Sequence, residues 1–352
     1  MPDSLALRDG SHSRPRQRRV ESERDSSAFN ARHATAAIGH HSPASVRKVN
    51  MPPDPKEITV AVDVGGTQMR AALVRGDGEI VLRRVLPTPR NAHVPTELTD
   101  LISSVARHVV DGERRAGRVV VGLPGQVDYR AGTLLWAPHL PESWPGQLSV
   151  ESLRQIVGLP VQLANDADLA AVGEAYFGSG RDYRDVAYIT ISTGIGAGFV
   201  FGGRLLHGGR SLGELGHTII DWKAWQRHLP ATLEKLASGT GLTRMAIEAG
   251  LGALSGERIN QLVRHGDDIA LQLWGHAVSA AAIGIANLSM AFSPEVVILG
   301  GGLGLQPNFF SAVGDAFARD VPEEMPPPPL LAAKLGDNAG LVGAARWAAA
   351  TD

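Results

Sequence analysis

The chain has no cysteine among its 352 residues. That excludes disulfides and thiolate metal sites, leaves histidine and carboxylate as possible ligands, and fits a reducing, cytoplasmic setting. An excess of one charge is also lacking. With 34 basic and 36 acidic residues the net charge is -2, so no general attraction to nucleic acid or to an anionic membrane is expected, and a small molecule is the expected partner. No GxxxxGK[ST] occurs and no GxGxxG follows the first strand, which sets aside P-loop and dinucleotide-binding readings. The longest small-apolar stretch, HAVSAAAIGIANLSMAF at 276–292, carries His276, Ser279, Asn287 and Ser289. Those are too many polar groups for a membrane span of about 20 residues, and the stretch reads as a helix buried in a core. The amino end has no apolar signal core, and Arg14, Arg16, Arg18 and Arg19 crowd it.

At 43% hydrophobic, the chain can bury two ordinary cores, so two lobes are expected. Residues 1–56 are rich in Ser, Arg, His and Pro, end in MPPDPKE, and are expected to be a disordered extension. Met51 stands just before folded sequence begins, a place suited to a translation start. A DNA-binding arm competes for this segment, but no helix-turn-helix pattern of apolar positions is present. From Ile58 the pattern reads strand, tight turn, strand to residue 75, then a strand at IVLRRVL. A helix is expected from about Thr96 to Gly117, strands at VVVGLPG and TLLWAP, a helix near 149–157, and the strand PVQLA running into a helix at 166–177. From Asp185, DVAYITISTGIGAGFVFGGRLLHGG repeats the plan of ITVAVDVGGTQMRAALVRGDGEIVL: apolar strand, glycine turn with threonine, apolar strand, loose hairpin. The expectation is an α/β protein of two similar lobes, 57–165 and 166–352, each offering a glycine turn to a shared cleft, with the last helix packing back on the first lobe.

Glycine lets backbone approach a ligand closely, and consecutive N–H groups in such turns form a concavity for phosphate oxygens. VGGT (64–67), STGIGAG (192–198) and the strand-to-glycine junction VVILGGGLG (296–304) together suit a polyphosphate held between lobes. Asp63, a lone carboxylate in an apolar strand beside the first turn, needs a compensating cation or donor. A hydrated Mg²⁺ on a nucleotide would serve, and capping of its own turn is the alternative. LANDADLAAVGEAYFG (163–178) places Asn165, Asp166 and Asp168 where a strand meets a helix, the usual place for active groups in α/β proteins. Either aspartate suits a general base, and Asn or Asp there equally suits a helix cap.

DVGGT, GLPGQVD, APHLPESW, ANDADLAAVGE, STGIGAG, GELGH and LEKLASGTGL occur in the order and nearly the spacing found in the ROK family of sugar kinases and sugar-responsive repressors, which the chain resembles over residues 58–350. The resemblance implies the two-lobed actin/hexokinase/Hsp70-like (ribonuclease H-like) fold closing over ATP and Mg²⁺, and a homodimer. It implies a glucokinase-like enzyme forming hexose 6-phosphate, with Asp166 the base in preference to Asp168. Asn165, Glu214, His217 and Glu234 would contact the sugar. Gly65, Gly66, Thr67, Thr193, Gly194 and Gly196 would hold phosphates, Gly301 and Gly302 would approach the adenosine, and Asp63 would order the metal's waters. An N-acetylhexosamine kinase, a polyphosphate-dependent glucokinase and a sugar-responsive regulator share the family.

Two departures bear on the sugar site. Most members carry a zinc knuckle after GELGH, built from that histidine and three cysteines; here TIIDWKAWQRHLPAT (218–232) takes its place. No structural zinc is expected, since His217 and His228 alone make a poor site, and Trp222 and Trp225 are expected to replace the metal by packing. In APHLPESW, His139 stands where sugar kinases of the family usually have asparagine, and it can still hydrogen-bond a hydroxyl.

Overall fold

The computed structural model describes residues 54–90, 96–112, 115–322 and 324–350, all in the compact unit Arg47–Asp352. The expected disordered extension lies outside the described residues up to position 53.

Two five-stranded sheets have the same topology. In the first, β1 (Ile58–Val64), β2 (Gln68–Arg75) and β3 (Ile80–Pro87) form an antiparallel meander, and β4 (Arg118–Leu123) and β7 (Val161–Asn165) add parallel on the other side of β1, giving the order β3-β2-β1-β4-β7. In the second, β8 (Val186–Ile191), β9 (Ile195–Phe201) and β10 (Arg204–Leu205) repeat the meander, and β11 (Val296–Gly300) and β12 (Leu330–Ala332) add parallel, giving β10-β9-β8-β11-β12. A separate hairpin pairs β5 (Gln126–Asp128) with β6 (Thr133–Trp136). Strands β1, β4, β8 and β11 are near-continuous apolar runs because both faces of each sheet are covered. Edge strand β3 turns Arg83 and Arg84 to solvent.

Helices α1 (Thr96–Ala106) and α2 (Val150–Val157) cover the outer face of the first sheet. Helices α5 (Leu233–Ala237), α6 (Gly239–Glu248), α7 (Gly256–Arg264), α8 (Asp268–Phe292) and α9 (Pro307–Asp320) cover the second. Between the sheets, α3 (Asp166–Tyr176) and α10 (Ala339–Ala350) form one core with Ala61, Val74 and Val120 on one side and Val186, Val200 and Ile298 on the other. Small residues permit this. A Cβ on Gly173 would lie 2.2 Å from Ala339 O, and one on Gly343 would lie 1.8 Å from Leu169 O, so the two helices cross at near backbone contact.

Helix α1 ends at Ala106 rather than near Gly117. Asp111 (φ 53°) and Gly112 (φ 80°) adopt left-handed conformations that a helix cannot continue through. Helix α8 is long and apolar enough to cross a membrane, yet it buries Leu273, Trp274, Val278, Ile285 and Leu288 in the second core.

Candidate active site

The glycine turn between β1 and β2 and the one between β8 and β9 face the same cleft, a cavity of about 280 Å³ lined by Gly65 and Gly66 from one and Thr193, Gly194 and Gly196 from the other. Asn165, Asp166, His139, Glu214, His217 and Glu234 also line it. A Cβ on Gly66 would sit 3.1 Å from His139 Cβ. One on Gly194 would sit 2.6 Å from Glu234 Oε2 and 3.4 Å from His139 Nε2. Glycine at both turns thus lets backbone come close to the His139 and Glu234 side chains. A second cavity of about 390 Å³ shares Ser192 and Thr193 and is lined by Gly302, Gly239, Thr240, Gly256 and Gln306. A third, about 500 Å³, shares Gly66, His139 and Thr193 and contains Thr67 and Arg90.

Asp63 and Gly301 line none of these. Gly301 (φ 85°) is fixed by strand packing: a Cβ there would be 2.3 Å from Ile191 O, so the close approach to β8 by itself requires glycine. Asp63 stands directly opposite Arg70 in the β1–β2 register, and Oδ2 accepts from Arg70 Nη1 at 3.0 Å. The cation that this partly buried carboxylate requires comes from the protein itself. Burial still pushes the Asp63 carboxyl above its ordinary range, with Arg70 acting against it. Arg70 also reaches Asp337 Oδ2 at 3.3 Å.

The start of α3 separates the three polar residues of NDAD (165–168) by role. Asn165 is the cap: Oδ1 accepts from Asp168 N at 3.0 Å, and Nδ2 donates to Gly125 O at 2.8 Å. Its side chain is therefore largely committed within the protein, although it borders the cleft. Asp168 is fully buried and accepts from the Tyr129 hydroxyl at 2.7 Å. Asp166 alone turns its carboxylate to the cavity, accepting from its neighbour Ala167 N at 2.8 Å. Burial, then the charges of Asp63 and Glu214, push Asp166 up to about 7.

Glu234, near the amino end of α5, accepts from Ile195 N at 2.9 Å, so the second glycine turn orients it. Glu214 lies just before a 3-10 turn, Leu215–His217, and His217 Nε2 is 3.8 Å from its Oε2. The Trp136 ring, on the β5–β6 hairpin, meets the His217 ring edge-on at 5.2 Å and lines the cavity with it. Sequence reading missed Trp136, Tyr129 and Arg70. Arg70 was accessible from the hairpin register, in which residues 63 and 70 face each other; Trp136 lies in the expected strand TLLWAP and Tyr129 in the turn before it, and neither position carries a local signal of the cleft.

The segment replacing the knuckle is not held by its tryptophans. Trp222 and Trp225 are 64% and 52% exposed, on the short helix α4 (Trp222–Gln226). Backbone bonds close the segment instead: Ile220 N to Ala231 O and Leu233 N to Thr218 O, both 2.9 Å. Among the described residues, no group of three or more His, Cys, Asp or Glu is placed to hold a metal.

Two like-folded sheets around a glycine-lined cleft, with a carboxylate at a strand-to-helix junction, define a two-domain protein of the actin and hexokinase type. The chain belongs to the ROK family, whose model matches residues 59–351. It is 35% identical over 299 residues to the bifunctional enzyme NanE/NanK of Brucella melitensis, covering 84% of this chain and 54% of that protein, so it spans about half the length of that relative. It is 34% identical over 298 residues to the N-acetylmannosamine kinase of Escherichia coli O127:H6, covering 82% of this chain and 97% of the relative. The crystal structure of a ROK family glucokinase from Streptomyces griseus, in complex with glucose and AMPPNP, superposes with a TM-score of 0.68 at 32% identity, covering 82% of this chain and 98% of that one.

Proposed function

We propose that the protein is a sugar kinase that transfers the γ-phosphoryl of ATP to a hexose hydroxyl, forming a hexose 6-phosphate. One observation carries the reading: glycine turns from the two halves and the Asp166 carboxylate border one cavity. The glucokinase and N-acetylmannosamine kinase relatives support the same reaction class.

Phosphoryl transfer passes through a loose transition state, so the protein mainly positions groups and balances charge. Asp166 accepts the proton of the attacking hydroxyl. Its raised pKa suits a base that must hold that proton near neutral pH. Glu214, His217, Glu234 and His139 offer acceptors and donors around the sugar ring, and Trp136 walls its open side. Backbone at Gly65, Gly66, Thr67, Thr193, Gly194 and Gly196 receives the phosphates, and the cavity at Gly302, Gly239 and Gln306 takes the nucleoside.

Asp166 and Glu214 border the cleft, and both carboxyls are pushed above their ordinary range; a Mg²⁺ carried by the donor would supply neutralising charge beside them. Asp63, already paired with Arg70, would order the metal's waters. The resemblance further implies a homodimer, which sedimentation of the purified protein checks.

The test is ADP release with glucose, mannose and their 2-acetamido derivatives, with inorganic polyphosphate in a parallel assay of sugar phosphate. Absence of phosphorylated product from every acceptor with either donor overturns the reading. Product from polyphosphate alone reassigns the donor.

A further inference from the structure

Asp168 is fully buried, carries a titratable group, and has no part in the transfer step. It is nonetheless one end of a closed circuit of hydrogen bonds. The backbone N–H of Asn165 donates to Tyr129 Oη at 3.1 Å. Because that N–H can only donate, the Tyr129 hydroxyl keeps its own proton for Asp168 Oδ2, 2.7 Å away. The Asp168 backbone N–H returns to Asn165 Oδ1 at 3.0 Å, and Asn165 Nδ2 anchors the circuit to Gly125 O at 2.8 Å. Capping α3 requires Asn165 Oδ1 alone. The tyrosine and the second carboxylate exceed that need, and Asp168 Oδ1 is buried with no hydrogen-bond partner, a cost that a purely structural cap would not carry.

Asp166 lies in sequence between Asn165 and Asp168, two of the three residues the circuit joins. We infer that Tyr129 and Asp168 are positioning residues for Asp166: the circuit fixes the direction of its carboxylate and holds a second acidic group behind it, which strengthens it as a base. The inference rests on the reading of Asp166 as the proton acceptor. Burial pushes Asp168 up to about 7, and the Tyr129 hydrogen bond opposes that rise. The other groups facing the pair are Asp63 with its partner Arg70, Glu214 with His217 beside it, and Tyr188 from β8. The His207 ring lies tilted against Tyr129 at 4.7 Å, and Trp347 meets it edge-on at 5.9 Å.

Tyr129→Phe removes one hydroxyl and keeps both ring contacts. Without that donor the Asp168 carboxylate is harder to ionise, so Asp166 feels less negative charge and its own pKa falls. The expected result is kcat about tenfold lower, KM for sugar and nucleotide within about twofold of wild type, and an acid limb of kcat moved to lower pH by about half a pH unit. Asp168→Asn, nearly isosteric, should move the limb in the same direction. Carboxyl ¹³C titration of aspartate-labelled protein, assigned with Asp166→Asn and Asp168→Asn, reads the coupling without turnover. A limb and an Asp166 titration that stay in place in both variants overturn the inference, as does a kcat loss that merely follows lost thermal stability. If the titration moves as expected in a protein that phosphorylates no sugar, the circuit stands and the kinase reading falls.

Discussion

Replacing Asp166 by asparagine should weaken the chemistry and strengthen the fold, and the two effects have separate magnitudes. The side chain keeps an oxygen for the Ala167 N–H, bonded at 2.8 Å in the wild type, so the helix start is preserved. In the folded protein the carboxyl titrates at about 7 against an ordinary 3.8, chiefly because burial disfavours its charge. Across that window the folded state binds more protons than the unfolded state, so stability falls as pH rises. The cost is absent below 3.8 and complete above about 7. The interval corresponds to about 4 kcal/mol. Because the carboxyl borders an open cleft, solvent screening reduces this to about 2 kcal/mol. Asparagine has no charge to bury, so Asp166→Asn should equal wild type in urea denaturation at the acid end of the window and exceed it by about 2 kcal/mol at the alkaline end. Turnover should fall at least about a hundredfold, and the acid limb expected of wild type near pH 7 should vanish. A variant no more stable than wild type at the alkaline end refutes the electrostatic argument. Near-normal turnover refutes the assignment of the base.

Gly194→Ala places a Cβ 2.6 Å from Glu234 Oε2 and displaces it from the Ile195 N–H. Loss of one charge-assisted hydrogen bond, about 1.5–3 kcal/mol, should weaken sugar binding roughly tenfold to a hundredfold by calorimetry, and unchanged affinity removes Glu234 from the sugar site. Arg70→Met strands the Asp63 carboxylate and should cost about 2 kcal/mol in urea denaturation, less at acid pH where Asp63 is protonated; equal stability at all pH values means the pair contributes nothing. Trp222→Gln with Trp225→Gln should change stability by no more than about 0.5 kcal/mol, and a large loss would restore a packing role to these side chains.

The two meanders were legible because each pairs an unbroken apolar strand with a glycine turn, and the buried α8 because its length and scattered polar residues fit a core helix. The cleft was legible from the glycine turns, since their spacing repeats in both halves. The end of α1 was not: Val109 and Val110 prolong its apolar pattern, and the left-handed residues at 111 and 112 act through backbone conformation alone. The knuckle replacement misled because aromatic residues at a lost metal site suggest a substitute core, whereas main-chain pairing between Ile220 and Ala231 suffices there. Long-range partners such as Tyr129 and Asp168, 39 positions apart, leave no local periodicity to read.

The crossing of α3 and α10 at Gly173 and Gly343 has a mechanical consequence. Backbones in such contact cannot slide past each other without collision, so the pair works as an axle shared by two jaws. Asp166 stands at the tip of α3, whose first turn is seated on β9: a Cβ on Gly198 would lie 2.7 Å from Ala167 O. Any rocking of the halves would therefore carry the Asp166 carboxylate with the second sheet, so its aim relative to the second glycine turn would not depend on how far the molecule has shut.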